Sequence, residues 1–184
     1  MASTKGRLLV AAPSLTDPNF RRTVVMMLEH DDEQGALGVV INRPSFSELS
    51  GPLPEWEAVA AFPGVFFLGG PVAPGNVIGL AKVWPEAEGE GITPVVGQLA
   101  LVDLNIAPSE LGAMVEQARA FAGCAGWAPG QLEAEIGVGA WFVVDAQVDD
   151  VLSPEPEDLW RLVLRRQGGH LALFATYPAD TADN

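Results

Sequence analysis

Two apolar runs, TVVMMLEH (23–30) and ALGVVIN (36–42), face each other across the polar turn DDEQG (31–35). Apolar or β-branched runs on either side of a short polar turn that ends in glycine predict a β-hairpin. Neither run alternates strictly, so both faces of this hairpin need cover and it belongs at the centre of a sheet. Counting back from the turn sets Thr23 roughly opposite Asn42. Arg22 then lies near Arg43, with Arg21 beside it. Two facing arginines repel each other unless an anion or a carboxylate sits between them. One reading is a small anionic ligand held by guanidinium forks. The competing reading is neutralisation by Asp17, Glu48 or another acid.

The rest of the chain punctuates itself. RLLVAAP (7–13) reads as a first strand closed by proline, and SLTDPNF follows as a loop. RPSFSELSGPLPEW (43–56) is a proline-rich excursion with room for one helical turn. GVFFLGGPV (64–72) and NVIGLAKVW (76–84) read as a strand pair around a Gly-Pro loop. PEAEGEGITPVVG (85–97) reads as an acidic surface loop and QLALVDL (98–104) as a strand. SELGAMVEQARAFAG (109–123) carries Leu111, Met114, Val115, Ala118 and Phe121 at helical spacing, which predicts an amphipathic helix ended by Gly123. GWAPGQLEAEI (126–136) predicts a short helix with Pro129 in its first position and an apolar pair, Leu132 and Ile136. AWFVVDA (140–146) is a strand. SPEPEDLWRLVLRRQGG (153–169) is a helix with Ser153 as its cap, and HLALFATYP (170–178) is a closing strand. Paired strands with later helices predict an α+β fold with a mixed, mainly antiparallel sheet. At 184 residues the chain suits one domain, with a loose tail from about 179.

Charge limits the partners. The formal net charge is −14, and only 10 residues are Lys or Arg. Residues 1–50 are nearly balanced, so the remainder carries almost all of the excess. Neutralising phosphates drives DNA affinity, so direct nucleic-acid binding is not expected. No apolar run is long enough for a membrane helix, and the start reads as a strand, not a signal peptide. One cysteine, Cys124, excludes an internal disulfide. The expected setting is cytoplasmic.

Few motifs carry chemistry. LGGPV (68–72) fits close backbone approach through Gly69 and Gly70, and it matches no phosphate-loop pattern. EHDDE (29–33) reads as a solvated turn, because adjacent residues do not converge on a metal without a special loop. His30 and His170 are the only histidines, so no metal site and no cofactor are expected. Gln131 and Glu135 lie one turn apart, whereas Glu133 and Glu135 do not share a face and form no acid/base dyad.

The blocks APSLTDPNFRRTVVMMLEHDDEQGALGVVINRP, FLGGPV and GWAPGQLEAEI with the later AWF resemble the AlgH/YqgE family of bacterial proteins. The resemblance runs from Gly6 to Pro178, and the closing LWRLVLRRQGGHLALFATYPAD is similar to its actinobacterial branch. Cys124 departs from the family pattern, in which an aromatic residue, usually Tyr, precedes AGW. That argues against Cys124 as a family nucleophile. The resemblance implies a bent or bifurcated sheet forming a pseudo-barrel flanked by helices. It implies no defined activity, although some members bear a transcriptional-regulator label.

Together these readings lead to a non-enzymatic protein that binds a small anionic ligand or a protein partner, with a possible indirect regulatory role. Arg22, Asn42 and Arg43 would hold the anion, Gly69 and Gly70 would stand close by, and Gln131 and Glu135 would line the same cleft. The alternatives are a hydrolase or transferase with Glu135 as general base, and a regulator acting on DNA.

Overall fold

The computed structural model describes residues 2–179. Ten strands appear: β1 (Arg7–Ala11), β2 (Val24–Asp31), β3 (Gly35–Val40), β4 (Pro44–Glu48), β5 (Val65–Leu68), β6 (Val72–Val83), β7 (Ile92–Val96), β8 (Leu99–Val102), β9 (Val115–Trp127) and β10 (Trp141–Asp145). Four short helices follow late in the chain: α1 (Gln131–Gly137), α2 (Val148–Val151), α3 (Leu159–Gln167) and α4 (Gly169–Phe174). The sheet runs β10-β1-β2-β3-β9-β6-β8-β7, and β4 and β5 attach beside β9. All pairs are antiparallel except β5 with β9. The sheet curls into a half-barrel, the mostly antiparallel α+β architecture expected from the sequence.

The first hairpin forms as predicted. Val25 pairs with Val40, and Met26 with Val39. Val24–Leu28 are all buried, because Val24, Met26 and Leu28 share one cluster with Trp160 and Val163 of α3, and Val25 and Met27 share another with Trp127 and Leu132. At the open end Asn42 takes over the ladder. Its Oδ1 accepts from the Val24 N–H at 2.9 Å and its Nδ2 donates to the Arg22 carbonyl at 2.9 Å.

The predicted helix at 109–123 is absent. Residues 115–127 form β9, a 13-residue strand at the middle of the sheet. It passes through all three hydrophobic clusters: Val115, Ala118 and Ala120 join one, Phe121 the second, Ala125 and Trp127 the third. Alanine favours helix in isolation, but a strand buried on both faces needs small residues where layers press together. The Leu/Met/Val/Ala/Phe spacing that mimics a helical face is a by-product of that two-sided burial.

Other expectations are corrected. The 64–72 and 76–84 segments do not pair with each other: β5 pairs with β4 and β9, and β6 with β9 and β8. The 43–56 excursion holds β4, followed by a 3-10 turn over Pro54–Val59. The acidic loop contains β7. The closing strand is helix α4. Gly168 and Gly169 have positive φ and end α3, and α4 lays Phe174 on Phe142 with ring centroids 5.3 Å apart. Ser153 caps no helix: its Oγ accepts from the Glu155 N–H, and α3 starts at Leu159 after a 3-10 turn. Pro129 precedes α1, which opens after Gly130 at φ 78°. The expected tail falls almost wholly on 180–184, outside the described residues. No helix is long and apolar enough to cross a membrane.

Candidate functional site

Gly69 sits where the sheet forks. Its N–H donates to the Ala122 carbonyl at 2.8 Å, and its carbonyl accepts from the Val40 N–H at 2.8 Å, so it bridges β9 and β3 where β5 enters between them. A Cβ on Gly69 would lie 2.3 Å from the Gly123 carbonyl oxygen, and one on Gly70 would lie 2.3 Å from that of Cys124. Gly70 also has φ 146°. Both glycines are required by close backbone approach.

Beside this fork is a hollow of about 190 Å³ whose walls include Asn19, Arg43, Gly70 and Pro71. Arg43 reaches from the end of the first hairpin to the loop before it. Nη1 donates to the Asn19 carbonyl at 2.7 Å, and Nη2 to those of Pro18 (3.0 Å) and Arg21 (3.1 Å). Burial lowers the Arg43 pKa, and the charge on Asp17 partly offsets this. No carboxylate forms an ion pair with Arg43 among the described residues.

The other two arginines turn elsewhere. Arg22 has φ 55°, stacks its guanidinium 4.5 Å from the Trp160 ring centroid, and donates to the Tyr177 and Pro178 carbonyls. Arg21 donates to the Ala179 carbonyl. The hairpin register places the three side chains on one end of the molecule. Backbone carbonyls take up much of their donor capacity.

Gln131 and Glu135 stand on α1, whose Leu132 and Ile136 face the core as expected. Glu135 Oε2 accepts from two indoles, Trp127 Nε1 at 2.9 Å and Trp141 Nε1 at 2.8 Å. Its Oε1 accepts from Gln131 Nε2 at 3.0 Å, while Gln131 Oε1 accepts from the Ala128 N–H. Phe20 packs on both indoles, with centroids 6.0 Å from Trp127 and 5.6 Å from Trp141. Phe20 belongs to the same 17–22 loop whose carbonyls hold Arg43. One loop therefore joins the arginine end to the indole–carboxylate cluster. The sequence does not show this knot, because α1 must first fold between β9 and β10 before Trp127 and Trp141 converge on Glu135.

Glu133 has an unforeseen partner. His30 Nε2 lies 2.7 Å from Glu133 Oε1, and Asp32 lies close enough for the three to make a possible cation-ligand group. Thr4 contributes a backbone N–H 3.0 Å from His30 Nδ1. That N–H can only donate, so Nδ1 accepts and Nε2 carries the ring proton toward Glu133. A cation at Nε2 would have to displace that proton, so the geometry describes a hydrogen-bonded clasp between hairpin tip and α1. The α1 backbone N–H and the His30 hydrogen bond hold the Glu133 carboxyl below the usual carboxylate range. Cys124 offers no nucleophile signal: burial pushes its thiol up, and its Sγ lies 3.7 Å from the Val72 carbonyl.

The profile of AlgH-like proteins matches residues 8–172. A UPF0301 protein of Streptomyces coelicolor is 51% identical, over 100% of this chain and 97% of its own. One from Thermobifida fusca is 44% identical over 99% and 96%. The chain belongs to the AlgH-like family. Among solved structures, a Corynebacterium diphtheriae protein superposes with TM-score 0.90 at 34% identity, covering 96% of this chain and 94% of its own. The AlgH protein of Pseudomonas aeruginosa superposes with TM-score 0.71 at 29% identity, covering 97% of each. The AlgH-like relatives therefore share this half-barrel, and the actinobacterial affinity matches the S. coelicolor and T. fusca relatives.

Proposed function

We propose that this AlgH-like chain is a binding protein without catalytic chemistry of its own, and that the hollow beside Arg43 takes a small anion or an anionic side chain of a protein partner. The supporting observation is Arg43 itself. It is a half-buried guanidinium on the wall of a hollow, with no bonded carboxylate among the described residues, in a chain of net charge −14. Three carbonyl contacts fix the fork in place, and the nearby charge of Asp17 offsets its positive charge only in part. Gly70 and Pro71 form part of the opposite wall through their backbone. Asn42 supports the site indirectly by fixing the strand end from which Arg43 departs. Arg22, Gln131 and Glu135 fit better as supports of the surrounding structure than as ligand contacts.

A general-base role for Glu135 is the weaker reading, because two indoles and an amide take three of its carboxylate's acceptor sites and tie it to the packing of α1. A base needs a free lone pair within reach of a substrate proton. The test is a thermal-shift screen of phosphate, nucleotides, sugar phosphates and dicarboxylates. A specific anion at about 100 times its Kd stabilises the fold by ~2.7 kcal/mol. That shift disappears in Arg43→Ala. No shift with any anion overturns the small-anion reading.

A further inference from the structure

Arg119 lies in the middle of β9 with only 2% of its surface exposed. Nη1 donates to the Val151 carbonyl at 2.9 Å and Nη2 to the Phe62 carbonyl at 2.7 Å. Its guanidinium carbon stands 4.2 Å from the Phe67 ring centroid, and its Nε is buried with no hydrogen-bond partner. No carboxylate pairs with it among the described residues, and burial lowers its pKa to about 10. A buried cation without a counter-ion is costly, and well-packed apolar residues often replace such groups without loss of stability. Stability alone is a poor reason for Arg119.

What Arg119 does hold together is a pair of walls. Phe62 and the segment just beyond Val151 flank an open groove of about 330 Å³. Four prolines line it: Pro44, Pro63, Pro154 and Pro156. Phe62 lines it too, yet keeps 74% of its surface exposed. Glu155, Glu157 and Asp158 charge one edge, and no lysine or arginine lines the groove. Phe46, two residues along β4 from Pro44, is also fully exposed. Proline walls lose little freedom on binding, and the arginine clamp fixes their separation in advance.

We propose that this groove docks a short basic–apolar segment of a protein partner. An aliphatic or proline residue sits on the prolines and the Phe62 ring. A lysine or arginine beside it pairs with the Glu155, Glu157 and Asp158 carboxylates, and the Phe62 face adds cation–π attraction. Charge decides the occupant. Three acids with no basic lining repel an anionic segment, and a second copy of a −14 chain approaches against net repulsion. The site uses other residues and the opposite ligand charge from the Arg43 hollow, so either can fail without the other.

The experiment is fluorescence anisotropy on the full chain at physiological salt. The probes are a labelled Arg-Leu-Pro-Arg-Leu-Pro peptide and its counterpart with glutamate for arginine. The arginine peptide binds and the glutamate peptide does not. Phe62→Ala, an exposed change that spares the core, weakens binding about tenfold. The pair Glu155→Gln and Glu157→Gln does the same. The control pair Glu86→Gln and Glu88→Gln, in the acidic loop after β6, changes it less than twofold. The proposal is overturned by no binding of the arginine peptide, by no effect of Phe62→Ala, or by an equal loss in the control pair. A dimer in sedimentation that Phe62→Ala abolishes also overturns it, in favour of self-association.

Discussion

Glu135 joins the tryptophans of two strands through a single carboxylate, which makes it the most consequential polar residue of the α1 region. Removing it leaves two part-buried indole N–H groups without an acceptor. An unmet buried donor costs about 1–3 kcal/mol. Glu135→Ala therefore lowers stability by about 2–4 kcal/mol in urea unfolding and changes the tryptophan emission of the folded state. Glu135→Gln keeps one carbonyl acceptor and costs less. The Glu133 clasp gives a pH signature. Its pKa is depressed in the folded chain, so its stabilisation is complete above the unfolded carboxyl pKa and fades as pH falls through the lower folded value. Urea midpoints measured downward from neutral pH fall on the acid side of the usual carboxylate range, and Glu133→Gln flattens that part of the profile. Of the site residues, Arg43 was legible because hairpin register is counted from a turn. The role of Glu135 was not, because its partners depend on how β9 and β10 bring Trp127 and Trp141 together.

At the scale of elements, the fork at Gly69 decides how the sheet branches. A Cβ there meets the Gly123 carbonyl at 2.3 Å, and neither backbone has freedom to retreat while both ladders hold. Gly69→Ala destabilises the fold by about 1–3 kcal/mol, the usual range for overpacking, measured by thermal or urea unfolding. Gly75→Ala, where a Cβ meets nothing within 4 Å, is the neutral control. The pair GG announced close approach, and that much was readable. The partner strand was not, since β9 itself looked helical. Ala118, Ala120 and Ala122 suit a helix locally, and only burial between neighbours on both sides makes the strand the better solution. The segment 170–178 fails in the reverse sense. Its apolar run has the composition of a strand, but after Gly168 and Gly169 it coils as α4 and lays Phe174 on Phe142.

For the molecule as a whole, charge is the strongest functional constraint. With a net charge of −14, long-range repulsion opposes any polyanion. A gel shift with duplex DNA at physiological salt shows no complex. A stable complex that survives salt would restore the regulator-on-DNA reading. The sequence by itself determined the acidity, the central hairpin with its Thr23–Asn42 end, the α+β class and the family, because turns, periodicity and charge are local properties. Tertiary structure alone decided that β9 is a strand, that β5 and β6 part company at Gly69, that Arg43 answers to carbonyls, and that Arg119 braces a groove. Those outcomes depend on which surfaces bury one another, and burial between segments many residues apart leaves no period in the chain to read.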